Sequence, residues 1–336
     1  MKKILYIGNK LAEHGYNSTS IETLGLFLED EGFKVYYASS KKNKFLRLME
    51  MIFMIVKHAR NANYVLIDTY STKNFWYAVV ISQLSRVLSL RYIPKLHGGD
   101  LPRRIVQSKF LSDLIFKNAY IIISPSYYLI EAFNKQGYTN IKYIPNTIDL
   151  NLYPQHDKQF KIPKLLWVRS FSAIYNPIMA IEVFINLRKI FPEAELCMVG
   201  PRKDNSYEKT ILFAEQNNVD VKFTGKLSKE EWITLSKNYN VFINTTHFDN
   251  TPVSVIEAMS LGIPVVSTNV GGIPYLLQHN TNALLVSDNN SDEMTQQITR
   301  IFTEPDIACN LSENAKKTIK NFDWKIVRGQ WIDLLS

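Results

Sequence analysis

Cysteine is scarce in this sequence: the 336 residues include 2 cysteines, Cys197 and Cys309. Two distant cysteines give neither a disulfide scaffold nor metal-ligand spacing, and they suit a reducing compartment. Long apolar runs are also missing, since no stretch of about 18 uncharged apolar residues could cross a bilayer. The apolar start at residues 4–7 is too short for a signal peptide. We therefore expect a cytoplasmic protein without a membrane span.

Two further motifs are missing. No Gly-x-Gly-x-x-Gly follows an apolar strand pattern, which argues against a dinucleotide-dependent oxidoreductase. No Asp-x-Asp triplet and no His/Asp/Glu cluster with ligand spacing is present to chelate a metal diphosphate. The sequence therefore predicts chemistry without a bound metal or cofactor.

The net charge of +8 is unevenly distributed. Residues 1–154 hold 20 Lys/Arg against 11 Asp/Glu, a net +9, so the remainder carries −1. This asymmetry fits an anionic partner, either a phosphorylated lipid or an acidic membrane surface. We expect no nucleic-acid partner.

Short apolar runs alternate with helix-length segments along the whole chain. The length suits two α/β domains of about 150 to 170 residues, and the alternation predicts parallel, doubly wound sheets with ligands at the carboxyl ends of the strands. The polar stretch 155–159 is typical of a linker. The predicted strands are 3–8, 33–38, 64–67, 92–97, 121–124, 143–149 with its turn, 164–168, 194–199, 221–223, 241–244 and 263–267.

The most informative segment is 248–266, which has the pattern of a loop, a helix and a strand. Thr251 suits the helix cap, Pro252 its first turn and Gly262 its end. The amides of residues 251–254 would then form an anion site at a positive helix terminus. Glu257 lies on the apolar helix, where an unpaired carboxylate is costly, and a ribose diol would supply its partner.

Together with Gly271-Gly272-Ile273-Pro274, this segment resembles the signature of the retaining glycosyltransferases of family 4, and the resemblance covers essentially the whole chain. It implies the GT-B fold, in which two Rossmann-like domains have parallel sheets facing an interdomain cleft. Residues 1–154 would bind the acceptor and residues 155–321 the nucleotide sugar. Residues 322–336 would form a helix crossing back to the first domain.

The resemblance also implies roles for single residues. Asp249 and Glu257 match the family's two carboxylates separated by seven residues, although the first is normally Glu. Glu257 would hold the ribose hydroxyls and Asp249 would face the transferred sugar. The stretch Asn250, Thr251, Pro252 and Val253 would present backbone amides to the sugar and the diphosphate.

Arg169 matches the family's arginine that clamps the donor diphosphate, a task suited to a bidentate guanidinium. The lysine that usually follows about five residues later is missing here. Either Tyr175, Asn176 or Arg202 compensates, or donor affinity is low.

Several turn residues resemble further parts of the family's site. His97 resembles the acceptor-side histidine. Gly15, before a helix from about Ser20, resembles the loop that approaches the phosphate and sugar. The residues that resemble walls of the nucleotide-base pocket, or equally plain turns, are Gly200, Pro201, Gly225, Lys226 and Leu227.

The segment 41–60 begins basic, becomes apolar and ends basic. One interpretation is an interfacial helix on an anionic membrane, which suits a polyprenyl-phosphate-linked acceptor, with Arg103, Arg104 and Lys109 on the same surface. The other is an ordinary crossover helix with cationic ends. Both stay open from the sequence.

The function that the resemblance implies is retaining transfer of a hexose-type sugar from a UDP-, GDP- or ADP-sugar to a glycan or lipid-linked acceptor. Cell-surface polysaccharide or glycoconjugate biosynthesis is the expected setting, in the cytoplasm or peripherally on the inner face of the membrane. The alternatives are a non-catalytic nucleotide-sugar-binding subunit and a GT-B sugar-nucleotide epimerase or phosphorylase, since fold alone does not fix the reaction.

Overall fold

The computed structural model describes residues 2–16, 18–155, 159–304 and 306–336. The chain divides into two compact units, of which the first comprises Met1–Thr147 and Val327–Ser336 and the second Ile148–Ile326. The predicted linker includes residues 156–158, which lie outside the described residues. The predicted functional division into 1–154, 155–321 and 322–336 stays a prediction.

The first unit alternates strands and helices. Its strands are short and apolar, as expected for parallel strands buried on both faces. They are β1 (Lys3–Ile7), β2 (Lys34–Ala38), β3 (Tyr64–Tyr70), β4 (Arg91–His97), β5 (Ile122–Ser124) and β6 (Ile141–Tyr143). The helices are α1 (Ser20–Asp30), α2 (Lys44–His58), α3 (Phe75–Val87), α4 (Leu101–Gln107), α5 (Lys109–Phe116) and α6 (Tyr127–Asn134).

The first sheet has the order β2-β1-β3-β4-β5-β6, and its strand pairs are parallel. The direction in which strands are added reverses between β1 and β3. The predicted strand at 143–149 is wrong in its bounds, since β6 ends at Tyr143. Pro145 lacks the N–H that a longer ladder would need.

The second unit repeats the alternation. Its strands are β7 (Lys164–Val168), β8 (Glu195–Val199), β9 (Lys222–Gly225), β10 (Val241–Asn244), β11 (Val265–Thr268) and β12 (Leu284–Val286). Its helices are α7 (Pro177–Ile190), α8 (Ser206–Gln216), α9 (Lys229–Ser236), α10 (Val253–Ser260), α11 (Ser291–Thr303) and α12 (Ile307–Ile319). The last helix, α13 (Trp324–Leu335), begins at Trp324 and not at Phe322, because Asp323 is extended and bridges to Ile148.

The second sheet has the order β12-β11-β10-β7-β8-β9 and is also parallel throughout its described pairs. This is the Rossmann strand order, and its direction reverses between β7 and β10. Alternate residues of β7 enter different cores, since Leu166 packs in one apolar cluster and Leu165 and Trp167 in another. The chain is therefore an α/β protein with two Rossmann-like units, as predicted.

The reversal point is the expected ligand-binding position of each sheet, because open α/β sheets bind ligands outside the carboxyl ends of the strands at that point. These positions are the ends of β1 and β3 in the first unit and of β7 and β10 in the second. Among the described residues, no helix has the length and apolar character needed to cross a membrane.

Candidate functional site

A charged cluster lies at the reversal point of the second sheet. Arg169 directly follows β7, and Asn244 is the last residue of β10. Arg169 donates from Nε and Nη2 to Asn244 Oδ1, both at 3.3 Å, and from Nη2 to Asp249 Oδ2 at 2.5 Å. The structure thus joins Arg169 and Asp249, for which the sequence predicted separate contacts with the ligand.

This ion pair is largely shielded from solvent, with side-chain exposures of 11% for Arg169 and 16% for Asp249. The guanidinium carbon lies 4.9 Å from the ring centroid of Tyr175. Burial raises the pKa of Tyr175, and the positive charge of Arg169 opposes that rise. A guanidinium stays charged at any ordinary pH, so the cluster holds a permanent cation at the sheet edge.

A glycine pair presses against the backbone next to this cluster. Gly272 N–H donates to the carbonyl of Asp249 at 2.9 Å. A Cβ atom on Gly271 would collide with that carbonyl, and one on Gly272 with the carbonyl of Asn250. The two glycines are therefore required here because backbone meets backbone, which the sequence pattern alone did not reveal.

The helix that follows starts differently from the prediction. Thr251 is not its cap: Pro252 occupies the N-cap position in an extended conformation without a side-chain cap, and α10 begins at Val253. The N–H groups of Val255 and Ile256 both donate to the Pro252 carbonyl. The amides of Val253 and Ser254 fall in the first turn, where α-helices leave N–H groups without intrahelical partners. The predicted end is confirmed, since Gly262 follows the C-cap with φ +71°.

Glu257 is buried on α10, and two protein groups contact it. Its Oε1 accepts from the Tyr153 hydroxyl at 2.7 Å and lies 3.0 Å from Lys229 Nζ. Burial and the Glu257 charge raise the pKa of Tyr153, which keeps that hydroxyl a donor. The sequence predicted a ribose diol as a partner of this carboxylate, and the structure adds two protein partners that are distant in sequence and gave no signal. Both contacts fall on the same carboxylate oxygen.

The three residues proposed to replace the missing lysine have different surroundings. Asn176 caps α7 by accepting from Met179 N–H and donates to Asn289. Arg202 lies 4.1 Å from the Tyr207 ring and 3.5 Å from Glu208. Tyr175 remains beside Arg169.

A different cation, Lys203, lies near Tyr175, with Nζ 5.9 Å from the ring centroid. Its loop is fixed to the segment after β7, since Lys203 N–H donates to the Phe171 carbonyl at 3.1 Å. Ser172 Oγ and Ala173 N–H both donate to Asp204 in the same loop. Lys203 forms no ion pair within the described part of the chain. The sequence reasoning missed it because the loop folds back across the sheet edge.

The predicted base-pocket residues end the neighbouring strands. Gly200 N–H donates to the Gly225 carbonyl at 2.8 Å, and the Pro201 carbonyl accepts from Phe171 N–H at 2.9 Å. A Cβ on Gly200 would collide with the Arg169 carbonyl. The structure therefore brings Gly200 beside Arg169 and Gly225 beside Gly200. Lys226 is exposed, whereas Leu227 packs against an apolar cluster.

The first unit carries its own polar cluster at the reversal point between β1 and β3. Asp68 Oδ1 contacts His97 Nε2 at 2.7 Å and accepts from the Tyr6 hydroxyl at 3.1 Å. The Asp68 side chain is 0% exposed and that of His97 13%. Asp68 Oδ2 is buried without a hydrogen-bond partner among the described residues, and a Cβ on Gly8 would lie 2.6 Å from it.

Lys95 completes this cluster from β4. Its Nζ lies 3.5 Å from His97 Nε2 and 3.4 Å from Asn146 Oδ1. Burial lowers the pKa of Lys95 to about 8. Burial and then Lys95 lower the pKa of His97, although Asp68 acts to raise it. In the neutral ring, Nε2–H donates to Asp68, so Nδ1 is the acceptor.

The sequence singled out His97 and missed Asp68 and Lys95. A signal was available, because each is a charged residue next to an apolar run that predicts a strand. Gly15 has φ +84° and nothing within 4 Å of an added Cβ. The helix predicted after it is confirmed, since α1 begins at Ser20.

Comparison with known proteins identifies the matching segment. Residues 153–318 match the family described as glycosyl transferases group 1. A Campylobacter jejuni protein named N,N'-diacetylbacillosaminyl-diphospho-undecaprenol alpha-1,3-N-acetylgalactosaminyltransferase is 19% identical over 337 aligned residues, covering 91% of this chain and 86% of its own.

Two solved structures share the fold. The sucrose-phosphate synthase of Thermosynechococcus elongatus has a TM-score of 0.82 at 18% identity, covering 99% of this chain and 98% of its own. Anabaena HepE in complex with UDP-glucose has a TM-score of 0.80 at 18% identity, covering 100% and 99%. The two parallel six-stranded sheets and these neighbours give the chain the GT-B type of fold. The match over residues 153–318 relates the second unit to the group 1 glycosyltransferases.

Proposed function

We propose that this chain transfers a hexose-type sugar from a nucleotide sugar to a glycan or lipid-linked acceptor, with retention of configuration and without a metal ion or cofactor. The observation that carries the proposal is the shielded Arg169 guanidinium at the reversal point of the second sheet. A permanent cation at the point where such sheets bind ligands suits a diphosphate. Cell-surface polysaccharide biosynthesis is the setting we propose.

Each part of the donor has a candidate partner in the second unit. Arg169 would bind the diphosphate. Asp249 would first orient the guanidinium of Arg169, and Asp249 would then contact the transferred sugar. The hydrogen bonds to Asn244 and Asp249 use Nε and Nη2 of Arg169. Because a guanidinium has five N–H donors in all, donors remain for the diphosphate. Glu257 would accept from the ribose hydroxyls. Residues 250–253, apart from Pro252, which has no N–H, would supply amides at the start of α10.

Lys203 is our candidate for the second diphosphate cation. It and Arg169 lie near the same ring, that of Tyr175, at 5.9 Å and 4.9 Å. Arg202 is a weaker candidate, because Tyr207 and Glu208 already contact its guanidinium. The family's lysine would then be replaced by one from the loop after β8, and low donor affinity is not required.

The reaction follows from charge placement. The bond between the anomeric carbon and the diphosphate oxygen breaks as negative charge develops on the diphosphate, and Arg169, Lys203 and the α10 amides stabilise it. The acceptor oxygen bonds to the same face of that carbon, and the departing phosphate oxygen takes the hydroxyl proton. His97, held by Asp68, would accept a hydrogen bond from a sugar hydroxyl at Nδ1.

The names of similar proteins suggest where to begin the search for substrates. Anabaena HepE is described with UDP-glucose, so a UDP-sugar is our first choice of donor, ahead of GDP- and ADP-sugars. The Campylobacter jejuni relative is named for an undecaprenyl-diphosphate-linked acceptor. A polyprenyl-phosphate-linked acceptor is therefore our first choice, with the protein in the cytoplasm or at the inner face of the membrane.

A donor screen tests the proposal. Thermal unfolding is followed with UDP, GDP and ADP and their hexose conjugates, because a ligand of the native state raises the melting temperature. Nucleotide released on incubation is then measured by chromatography. We expect one nucleotide series to stabilise the protein and its sugar conjugate to release nucleotide slowly.

The outcomes separate the alternatives. Stabilisation without any turnover, with or without acceptors, would favour a non-catalytic binding subunit. Conversion of the sugar while it stays attached to the nucleotide would favour an epimerase. A protein that no nucleotide or nucleotide sugar stabilises would contradict the proposal.

A further inference from the structure

The helix α2 of the first unit has two chemically different faces. Its inward face contains Met51 and Ile55, which belong to the buried core, and the helix packs on β1, β2 and α3. In this respect the crossover-helix interpretation is confirmed. A helix that served only as a crossover would present polar side chains on the opposite face.

The outward face of α2 is apolar instead. Phe45 is 67% and Phe53 62% exposed, and the other large apolar side chains exposed on this helix are Leu46, Met49 and Val56. At 3.6 residues per turn, these five side chains fall within about 100° of the helix circumference. With 15 residues, the helix is about 22 Å long. We call these five side chains the α2 stripe.

Exposed cations flank the α2 stripe at both ends. They are Lys41, Lys42 and Lys44 before it and Lys57 and Arg60 after it. The first two stand on a turn that buried Arg47 holds, because its Nε and Nη2 donate to the carbonyls of Lys41 and Lys42 at 2.7 and 3.1 Å. Arg47 Nη1 donates to Asn9 Oδ1 at 2.8 Å. Arg47 therefore organises the cations without being one of the exposed ones.

Negative charge is directed away from this surface. Glu50 is the one acidic residue between positions 41 and 60, and its carboxylate accepts from the Ser39 hydroxyl. The other three basic residues assigned to this surface from the sequence have partners elsewhere, and Arg103 pairs with Asp100 at 3.0 Å. Lys109 donates to the Gln136 carbonyl and pairs with Asp113, and Arg104 lies 4.7 Å from the Phe75 ring.

We infer that the α2 stripe docks on the surface of an anionic lipid bilayer. Apolar side chains would enter the boundary between headgroups and acyl chains, and the flanking lysines would contact anionic headgroups. Charge favours lipid over a second copy of this chain, because two stripes packed face to face would bring ten exposed cations together. This surface deepens the proposed function, since it would bring the first unit to a lipid-linked acceptor.

Vesicle sedimentation tests the inference without donor or acceptor. The full chain is mixed with vesicles of phosphatidylcholine alone, or of equal parts phosphatidylcholine and phosphatidylglycerol, at low and high salt. We expect binding to the anionic vesicles that weakens with salt. Phe45→Ser with Phe53→Ser should weaken it at least about tenfold. Lys42→Gln with Lys44→Gln should weaken it about 25-fold.

Matched changes in the second unit serve as the control. Leu212→Ser with Lys209→Gln alters one exposed apolar and one exposed basic residue of α8, and should leave vesicle binding unchanged. Thermal unfolding checks that every variant is folded. Nucleotide release from the donor should survive in all of them, which separates a failure at this surface from a failure of the proposed function.

Three results would overturn the inference. The first is that the wild-type chain does not bind anionic vesicles at low salt. The second is that the variant with Phe45→Ser and Phe53→Ser binds them as well as the control variant does. The third is a dimer, seen by light scattering, that the phenylalanine substitutions convert to a monomer.

Discussion

The two units place different charges at equivalent points of their sheets. At the reversal point of the second sheet, Arg169 is permanently charged, and its side chain is 11% exposed. At the reversal point of the first, burial lowers the pKa values of both Lys95 and His97, which favours their neutral forms. The second site therefore offers a permanent cation to an anionic ligand, whereas the first offers His97 and Lys95, whose charged forms burial disfavours, beside the Asp68 carboxylate. The two sheets, which differ in strand order, thus place different chemistry at their reversal points.

The largest expected effect on transfer comes from removing Arg169 or Glu257 in the second unit. Arg169→Ala and Glu257→Ala should each lower transfer at least about 10³-fold, because developing charge on the diphosphate and the ribose grip are lost. The melting temperature of Arg169→Ala should fall, because Asp249 loses its partner in a shielded ion pair, but the variant should remain folded. Steady-state turnover with the donor found by the screen is the measurement, and near-normal rates in both variants would contradict the site assignment.

A smaller effect is expected in the first unit from Asp68→Asn. Asp68 fixes the ring of His97, so we expect kcat to fall about 10²-fold with little change in the KM for donor. The acidic limb of the pH profile should move to lower pH, because Asp68 is the group that raises the pKa of His97. Tyr6→Phe, which removes the other bond to Asp68 Oδ1, is the control and should leave that limb in place. An unshifted limb in Asp68→Asn would reduce Asp68 to a structural role.

A tenfold effect would identify the second diphosphate cation. Lys203→Ala should weaken binding of the nucleoside diphosphate about tenfold and leave the monophosphate unaffected, because one charged contact is removed. Calorimetric titration of both nucleotides measures this difference. Lys209→Ala, on exposed α8, is the matched control. Equal affinities for the nucleoside diphosphate in the Lys203 variant and the wild type would contradict the assignment of Lys203. Arg202 and Tyr175 would then be the candidates.

The last effect is a change in the stability of the first unit and not in transfer or binding. The pKa of Lys95 falls from 10.5 to about 8 on folding, so the unfolded chain binds more protons between those values and stability should rise with pH. Between pH 7.5 and 10 the free energy of unfolding should increase by about 2 kcal/mol relative to Lys95→Met. Denaturant unfolding at both pH values measures it. A pH dependence identical in both proteins would mean that Lys95 is charged in the folded state.

Sequence reasoning predicted the parallel sheets, the position of α10 and the candidates Arg169, Asp249 and Glu257. These depend on local periodicity and on motif spacing, which the chain displays directly. It missed β12, which is three residues long, and placed the cap of α10 on Thr251, whereas Pro252 takes that position. Short elements and caps are decided by tertiary context more than by propensity.

The missed contacts share one cause. Tyr153 and Lys229 reach Glu257 from 104 and 28 positions away, and Lys203 approaches Tyr175 through a loop from the neighbouring strand. No periodicity records such pairings, because they arise when separate strand ends meet at one edge of a sheet. Asp68 and Lys95 are the exceptions, since a charged residue next to an apolar run that predicts a strand was visible in the sequence.

Arg47 shows how an inward-pointing residue can govern an outer surface. Arg47→Lys would keep the formal charge, but it would lose the guanidinium hydrogen bonds to the carbonyls of Lys41 and Lys42 and to Asn9. Lys41 and Lys42 would then occupy a wider range of positions, and their headgroup contacts would cost more conformational entropy to form. Residence at the lipid surface would shorten although every side chain facing it was unchanged. Counting exposed charges would not reveal such a variant.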